Sequence, residues 1–350
     1  MNKEYDWTLK DANFTKDRGK VFSCFSCGGG STMGYKLAGF DVIGCNEIDH
    51  KMMEIYKANH NPKYSYLEPI QTFKNREDLP QELYELDILD GSPPCSLFST
   101  ANTKREDMWG KEKKFREGQQ LQVLDTLFFD FIDLAKKLQP KMVISENVKG
   151  LTLDVAKEYL NKIHQELDKA GYYTCQVLLN AKTMGVPQSR TRVFFISIRK
   201  DLSAQFMSGL FSDVFSISMN FNEAEIPYKE IEQLDGNESA KSIPAGFVEY
   251  WKQIKPGQTI SDVHPKGTGF QACKLNPNIS LPTIRAASND YYHYEQERKL
   301  YDDEIIMASS FPRDYNFLKQ KPIYVCGMSV PPLMVKKIAE QVYLQVLSKI

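Results

Sequence analysis

The stretch Asp87-Ile88-Leu89-Asp90-Gly91-Ser92-Pro93-Pro94-Cys95-Ser96-Leu97-Phe98-Ser99 decides how the chain is read. Its short apolar run carries an acidic residue and reads as a buried strand, which Gly-Ser-Pro-Pro ends abruptly. Each proline fixes its own φ and biases the preceding residue away from helix. Cys95 therefore falls at a rigid strand end, in the crevice where open α/β sheets bind ligands. Reactive cysteines occupy partly exposed, electropositive positions, whereas structural ones are buried. Taken alone, Cys95 reads equally as a nucleophile or as a small apolar residue in a tight turn.

Upstream, Lys20 to Phe25 reads as a strand, followed by Ser26-Cys27-Gly28-Gly29-Gly30-Ser31-Thr32-Met33-Gly34. A strand, a glycine-rich turn and a helix start allow a ligand to approach the backbone closely at a helix N-terminus. That helix should stop near Ala38-Gly39-Phe40, and Asp41 to Glu47 reads as the next strand. An acid about 20 positions after the glycines is where a ribose-binding carboxylate would stand. A tight turn followed by an exposed glutamate is the plainer reading of the same residues.

Downstream, residues 100–120 are polar and charge-dense, with Lys104, Arg105, Lys111, Lys113, Lys114 and Arg116 among acids. A long unstructured segment beside a candidate nucleophile is expected to be a lid, although a bare charge run is ordinarily a solvated insert. Gln122 to Leu138 reads as a buried amphipathic helix stopped by Pro140. Met142 to Ser145 is a short buried strand that delivers Glu146-Asn147-Val148 at its end. A partly buried glutamate there can be protonated, or can hydrogen-bond a protonated ring nitrogen. A helix from Ala156 to Ala170, a Gly171 cap and a strand from Thr174 to Leu179 follow. Alternation then puts Arg190 and Arg192 on one face of a starting strand. From Lys182 to Lys200 there are five basic residues and no acid, a local anion site.

At 350 residues the chain has room for one large and one smaller domain. A net charge of −1 gives no general attraction to nucleic acid, so such binding must come from local patches. No apolar run approaches the ~20 residues that span a bilayer, and the N-terminus lacks the apolar core of a signal peptide. Seven irregularly spaced cysteines suit reduced thiols in a cytosol. Cys24 and Cys27 form a lone C-x-x-C with no second pair, so no metal is expected.

Five stretches occur together in the order and approximate spacing of one family: Phe25 to Gly30, Glu47, Pro93-Pro94-Cys95, Glu146-Asn147-Val148 and Gln188-x-Arg190-x-Arg192. The set resembles the cytosine-5 DNA methyltransferases. Gly327-Met328-Ser329-Val330-Pro331-Pro332 is similar to the family's closing motif, and Leu281-Pro282-Thr283-Ile284-Arg285 to the one before it. The resemblance covers nearly the whole chain except residues 200–280. Cys27 stands where the family's first glycine usually is, Pro69 near the usual adenine-contacting acid, and Met328 in place of an asparagine. A cysteine at position 27 suggests φ < 0 there, with the thiol packed inward.

The resemblance implies a Rossmann-like α/β methyltransferase sheet domain (1–200 and 326–350), a target-recognition domain (201–300) and a hinge (301–325), with DNA in the cleft. It implies S-adenosylmethionine as cofactor, held by Phe25, Ser26, Gly28, Gly30, Glu47, Ile48, Ile70, Pro94, Leu127, Ser329 and Val330. It makes Cys95 the thiolate that adds to cytosine carbon 6 and Glu146 the partner of ring nitrogen 3. Arg192 becomes the base-pocket arginine, and Arg190 supports backbone or phosphate beside it. A stacked base is out of reach, so the cytosine must be flipped from the duplex. Contacts to double-stranded DNA are expected from Ser99, Lys111, Lys113, Lys114, Gln188, Lys266 and Arg285. The expected setting is the cytoplasm of a bacterium or a phage host, as a monomer away from membranes, any cognate restriction endonuclease acting separately. Three rivals stand beside this reading. The tRNA-methylating branch carries a Cys-Phe-Thr that is absent from the small domain here. A non-catalytic DNA-binding relative would not need Cys95, Glu146 and Arg192 intact. A dinucleotide dehydrogenase has no use for Cys95 and Glu146.

Overall fold

The computed structural model describes residues 3–94, 112–113, 122–123, 126–153, 156–206, 215–233, 242–269, 271–286 and 289–350. Lys20–Cys24 forms β1, and the glycine turn leads into α1 (Gly30–Leu37). Asp41–Glu47 is β2, and the Asp49 carboxylate caps α2 (His50–His60) by accepting from the Lys51 and Met52 amides. Then come β3 (Tyr64–Leu67), α3 (Ile70–Phe73) and β4 (Ile88–Gly91). Every residue of β4 is buried, as its apolar run requires of a central strand.

Glu112–Lys113 (β5) pairs antiparallel with Gln122–Val123 (β6). Helix α4 therefore spans Leu127–Leu138 and starts five residues later than the apolar pattern suggests, because Gln122 and Val123 give their backbone bonds to a strand. The rest of the charge-dense segment lies outside the described residues. Strand β7 (Met142–Val148) runs past Ser145 because β10 pairs with its full length. Next are α5 (Lys157–Lys169), β8 (Tyr172–Asn180), β9 (Gln188–Ser189) and β10 (Thr191–Arg199). The C-terminal part holds α6 (Ala245–Gln253), β11 (Cys273–Lys274), β12 (Leu281–Pro282), β13 (Tyr291–Tyr292), α7 (Asp302–Ala308), α8 (Pro322–Met328) and α9 (Pro332–Gln345).

Seven strands form one sheet in the order β3-β2-β1-β4-β7-β10-β8. The pairs β2/β3, β1/β2, β1/β4 and β4/β7 are parallel, and β10 enters antiparallel to β7. Phe22, Phe73, Leu127, Phe131, Val143 and Phe195 belong to one core cluster on this sheet. The apolar stripe of the last helix is buried as its spacing requires, with Val335, Ile338 and Val342 at most 3% exposed.

The chain divides into two compact units. The larger comprises 13–179, 191–220 and 335–350, and carries the sheet; the smaller comprises 1–12, 180–190 and 221–334. Residues 301–325 lie within the smaller unit, together with the N-terminal dozen and the segment before β10. Its apolar cluster joins Ile243, Trp251, Ile254, Ile260, Ala272 and Tyr292.

Glu304 is the buried polar centre of the smaller unit. Its side chain is 0% exposed and pairs with Arg298 through both guanidinium arms, at 2.9 and 3.0 Å. It also accepts from the Tyr228 hydroxyl (2.9 Å) and the amides of Gln233 (3.0 Å) and Tyr301 (2.8 Å). Removing one partner of a buried pair leaves the other charge stranded, at a cost of about 3–5 kcal/mol. Glu304→Gln, whose amide nitrogen would face N–H donors, should speed hydrogen exchange at Gln233 and Tyr301 and spare β1 and β4. Unchanged protection at both amides would refute this.

Candidate functional site

Strand register sets out the site. Cys24 pairs with Gly91, Gly91 with Ser145, and Cys24 with Asn46. One residue beyond these rungs come Phe25, Ser92, Glu146 and Glu47, side by side at the carboxyl edge of the sheet. At about 4.8 Å per strand, Glu47 and Glu146 stand three strands and roughly 14 Å apart. That span separates two ligand ends, with the Ser92-Pro93-Pro94 turn between them.

On the β1 side, Phe25, Cys27 and Gly29 have φ of +53°, +48° and +76°. Cys27 is thus left-handed, contrary to the φ < 0 that its side chain suggests. Its amide must turn inward to donate to the Glu47 carboxylate at 2.7 Å. The thiol does pack inward, 3.6 Å from the Met52 sulfur. Gly29 is held to glycine twice over, because a Cβ would also run into the ring of buried His60. Ser26, Gly28 and Gly30 are buried in this turn, and half-buried Phe25 packs against the core near Phe131.

Glu47 is 8% exposed and also accepts from the Ile48 and Asp49 amides at 2.8 and 2.9 Å. Burial pushes its carboxyl above the ordinary range, while these N–H bonds pull the other way. A carboxylate has about four lone-pair positions, so one remains after the three described bonds. That acceptor, beside a turn that only small or left-handed residues can form, fits a hydroxyl-bearing nucleoside. Ile70 and Leu127, at 2% and 0% exposure, belong to the core cluster that also holds Phe22 and Phe131.

On the other side, the Asn147 amide donates to the Pro93 carbonyl at 3.1 Å, and its own oxygen accepts from Val148 N. This bond ties the Pro-Pro turn, with Pro94 half-buried, to the end of β7. Glu146 and Arg192 form an ion pair, Nε to Oε1 at 2.8 Å, with side chains 12% and 15% exposed. Antiparallel pairing sets Glu146 opposite Phe194, so Arg192 reaches it from two residues away on the same face. Nη1 of Arg192 donates to its neighbour's carbonyl, that of Thr191, which fixes the guanidinium plane.

Arg190 and Arg192 do not share a face. The chain changes partners between them: β9 pairs with β12, β10 with β7, and Arg190 is the link, its carbonyl accepting from Ala181 N. Arg190 lies in the smaller unit, 3% exposed, donating to the carbonyls of Ile284 and Gly327. Gln188, expected to face DNA, is 1% exposed. It donates to Ala308 O and Ser309 Oγ and accepts from Ile284 N, so it is an internal strut. Ser329 and Val330, also in this unit, are buried. Arg285 lies over the Tyr291 ring and donates to Gln271 O, while Lys266 is exposed on a glycine-flanked loop. Cys95, Ser99, Lys111 and Lys114 lie outside the described residues, and of Lys113 only the backbone is described.

Two residues escaped the sequence reading. Asn147 was visible inside Glu146-Asn147-Val148, but nothing in one sequence says that its amide reaches Pro93. Asp90 was visible as an acid in an apolar strand.

The profile of the family described as C-5 cytosine-specific DNA methylase matches residues 19–344. Type II methyltransferase M.FnuDI of Fusobacterium nucleatum is 37% identical over 186 residues, 53% of this chain and 48% of that one. M.NgoPII of Neisseria gonorrhoeae is 35% identical, and the chain spans about half the length of both relatives. M.DdeI of Desulfomicrobium norvegicum is 30% identical across 92% of this chain and 88% of its own. Among solved structures, a DNMT2 mutant of Spodoptera frugiperda superposes with a TM-score of 0.63 at 17% identity. It covers 94% of this chain and 99% of that one, a likeness of fold. With the profile spanning nearly the whole chain and the glycine turn, Glu47, the Pro-Pro turn and Glu146–Arg192 at one sheet edge, the chain belongs to the C-5 cytosine-specific DNA methylase family.

Proposed function

We propose that the chain is a DNA (cytosine-5-)-methyltransferase acting on a cytosine flipped from duplex DNA. The observation that carries this is the Glu146–Arg192 pair, one residue past the ladder and tied through Asn147 to the turn that leads into Cys95. Family membership and fold imply S-adenosylmethionine, which supplies an electrophilic methyl group when bound. Glu47 would hold one ribose hydroxyl through the remaining lone pair, and residues 25–30 would lie along it.

Carbon 5 of cytosine is a weak nucleophile. The Cys95 thiolate adds to carbon 6, placing electron density on carbon 5, and its free pKa of roughly 8.5 must fall or be bypassed by a base. Glu146 stabilises the charge that develops at ring nitrogen 3, and Arg192 keeps that carboxyl aimed at the base. Loss of the carbon-5 proton and cleavage of the bond from sulfur to carbon 6 return the thiolate. The smaller unit, with its exposed Lys266 loop, is the proposed target-recognition domain. Base-edge contacts come from such loops and phosphate contacts from cations.

Three tests follow from this reading. Wild-type protein should be trapped covalently by a duplex carrying 5-fluorocytosine, and Cys95→Ala should lose both trapping and methyl transfer while still binding DNA. An adduct on Cys24 or Cys27, or methyl incorporation into tRNA alone, would overturn it. Cys27→Gly keeps the left-handed turn and relieves its cost of roughly 1–2 kcal/mol in a non-glycine residue, at the loss of the contact with Met52. Isothermal titration should therefore show cofactor affinity changed by a few-fold at most; complete loss would give the thiol a direct role. Each phosphate contact contributes about −0.9 to the slope of log K against log salt. Replacing Lys111, Lys113 and Lys114 with glutamine should flatten that slope by up to about three units, and an unchanged slope would remove them from the DNA interface.

A further inference from the structure

We infer that Asp90 is a positioning residue that links the cofactor turn to the Pro93-Pro94 turn by holding both flanks of residues 25–29. The inference rests on the functional reading above. Asp90 lies on β4 between Ser23 of β1 and Ile144 of β7, and is 5% exposed. Carboxylates are almost never fully buried unless partnered. Here the described partners are two hydroxyls and no cation: Ser23 Oγ at 2.7 Å and Tyr35 OH at 3.2 Å. Both are themselves buried, at 1% exposure.

The positions of those hydroxyls give the acid its role. Ser23 lies on β1 just before Phe25, and Tyr35 on α1 just after the turn. The chain leaves the Asp90 carboxyl at Ser23, makes its left-handed turn, and returns to the same carboxyl at Tyr35. Asp90 also precedes Gly91, where a Cβ would strike the Phe131 ring, and then Pro93, whose carbonyl is held by Asn147. One side chain thus joins the two turns that must be aligned for reaction. A purely structural pair would be served as well by apolar residues of similar volume.

An ionised Asp90 accepts both O–H groups; a protonated one presents its own hydrogen, and one of the two bonds must reorganise. Burial pushes its carboxyl up to about 7, with the Ser23 and Tyr35 bonds opposing and the Glu146 charge adding. The other groups facing it are Cys24 on β1, Tyr35 on α1, and Glu146 with its partner Arg192. Cys24 and Tyr35 are driven well above their ordinary values by burial and stay neutral between pH 6 and 8. Glu47 is also raised, so the pH dependence of the wild type alone is not the readout.

The test is S-adenosylhomocysteine affinity at pH 6 and pH 8, with kcat and KM for methyl transfer to DNA. If only ionised Asp90 holds the turn, wild-type affinity rises by up to about tenfold from pH 6 to pH 8, following the competent fraction. Asp90→Asn should remain folded, bind weakly at pH 8, and lose most of that difference, with KM for the cofactor raised more than kcat is lowered. Tyr35→Phe and Ser23→Ala, each removing one flank, should reduce the difference partially, and they serve if the Asn variant does not fold. A variant set whose pH 8 to pH 6 ratio matches the wild type would overturn the inference while leaving the methyltransferase reading intact. Failure of the wild type to bind S-adenosylhomocysteine at either pH would sink both.

Discussion

Parallel strand pairing is the constraint on which the candidate site depends. In a parallel ladder the strands run the same way, so their carboxyl ends arrive together and the segments leaving them emerge along one edge. Here the rungs Asn46–Cys24–Gly91–Ser145 close the ladder at one level. Groups far apart in sequence become neighbours because backbone hydrogen bonds leave no freedom to slip. A shift of one residue in β4 would turn Asp90 to the opposite face and retract the Pro-Pro turn.

The buried polar groups show two ways of keeping an acid out of water. Glu304 is matched by Arg298 and surrounded by donors, an arrangement that organises its unit. Among the described residues, Asp90 is met by hydroxyls and Glu47 by backbone amides. Burial raises both carboxyls, and neutral donors oppose it less than a cation would. Of the acids beside the candidate cofactor turn, Asp90 is the one pushed up to about 7, where its protonation changes near neutral pH.

Much of this was readable beforehand because local rules governed it. The glycine turn between β1 and α1, the end of β2 at Glu47 and the stop at Pro93-Pro94 follow from φ restrictions and apolar runs. Cys27 was misread: the side chain argued for φ < 0, and the need of its amide to reach Glu47 prevailed. The start of α4 was misplaced for a similar reason, since a two-residue strand pair with Glu112–Lys113 overrides helical periodicity at Gln122–Val123.

The amino-acid sequence by itself determined the order of motifs, the α/β class and the identities of the candidate groups, since these depend on residue types at short spacing. Tertiary structure alone decided which arginine meets Glu146. The alternation of Arg190 and Arg192 says they are equivalent, yet the chain changes pairing partner between them. One becomes an internal strut and the other forms an ion pair at the candidate site. It alone also placed Asn147 on Pro93 and Asp90 between the Ser23 and Tyr35 hydroxyls that flank the glycine turn. Pairing between strands distant in sequence has no local signature, because its energy comes from partners that no short window contains.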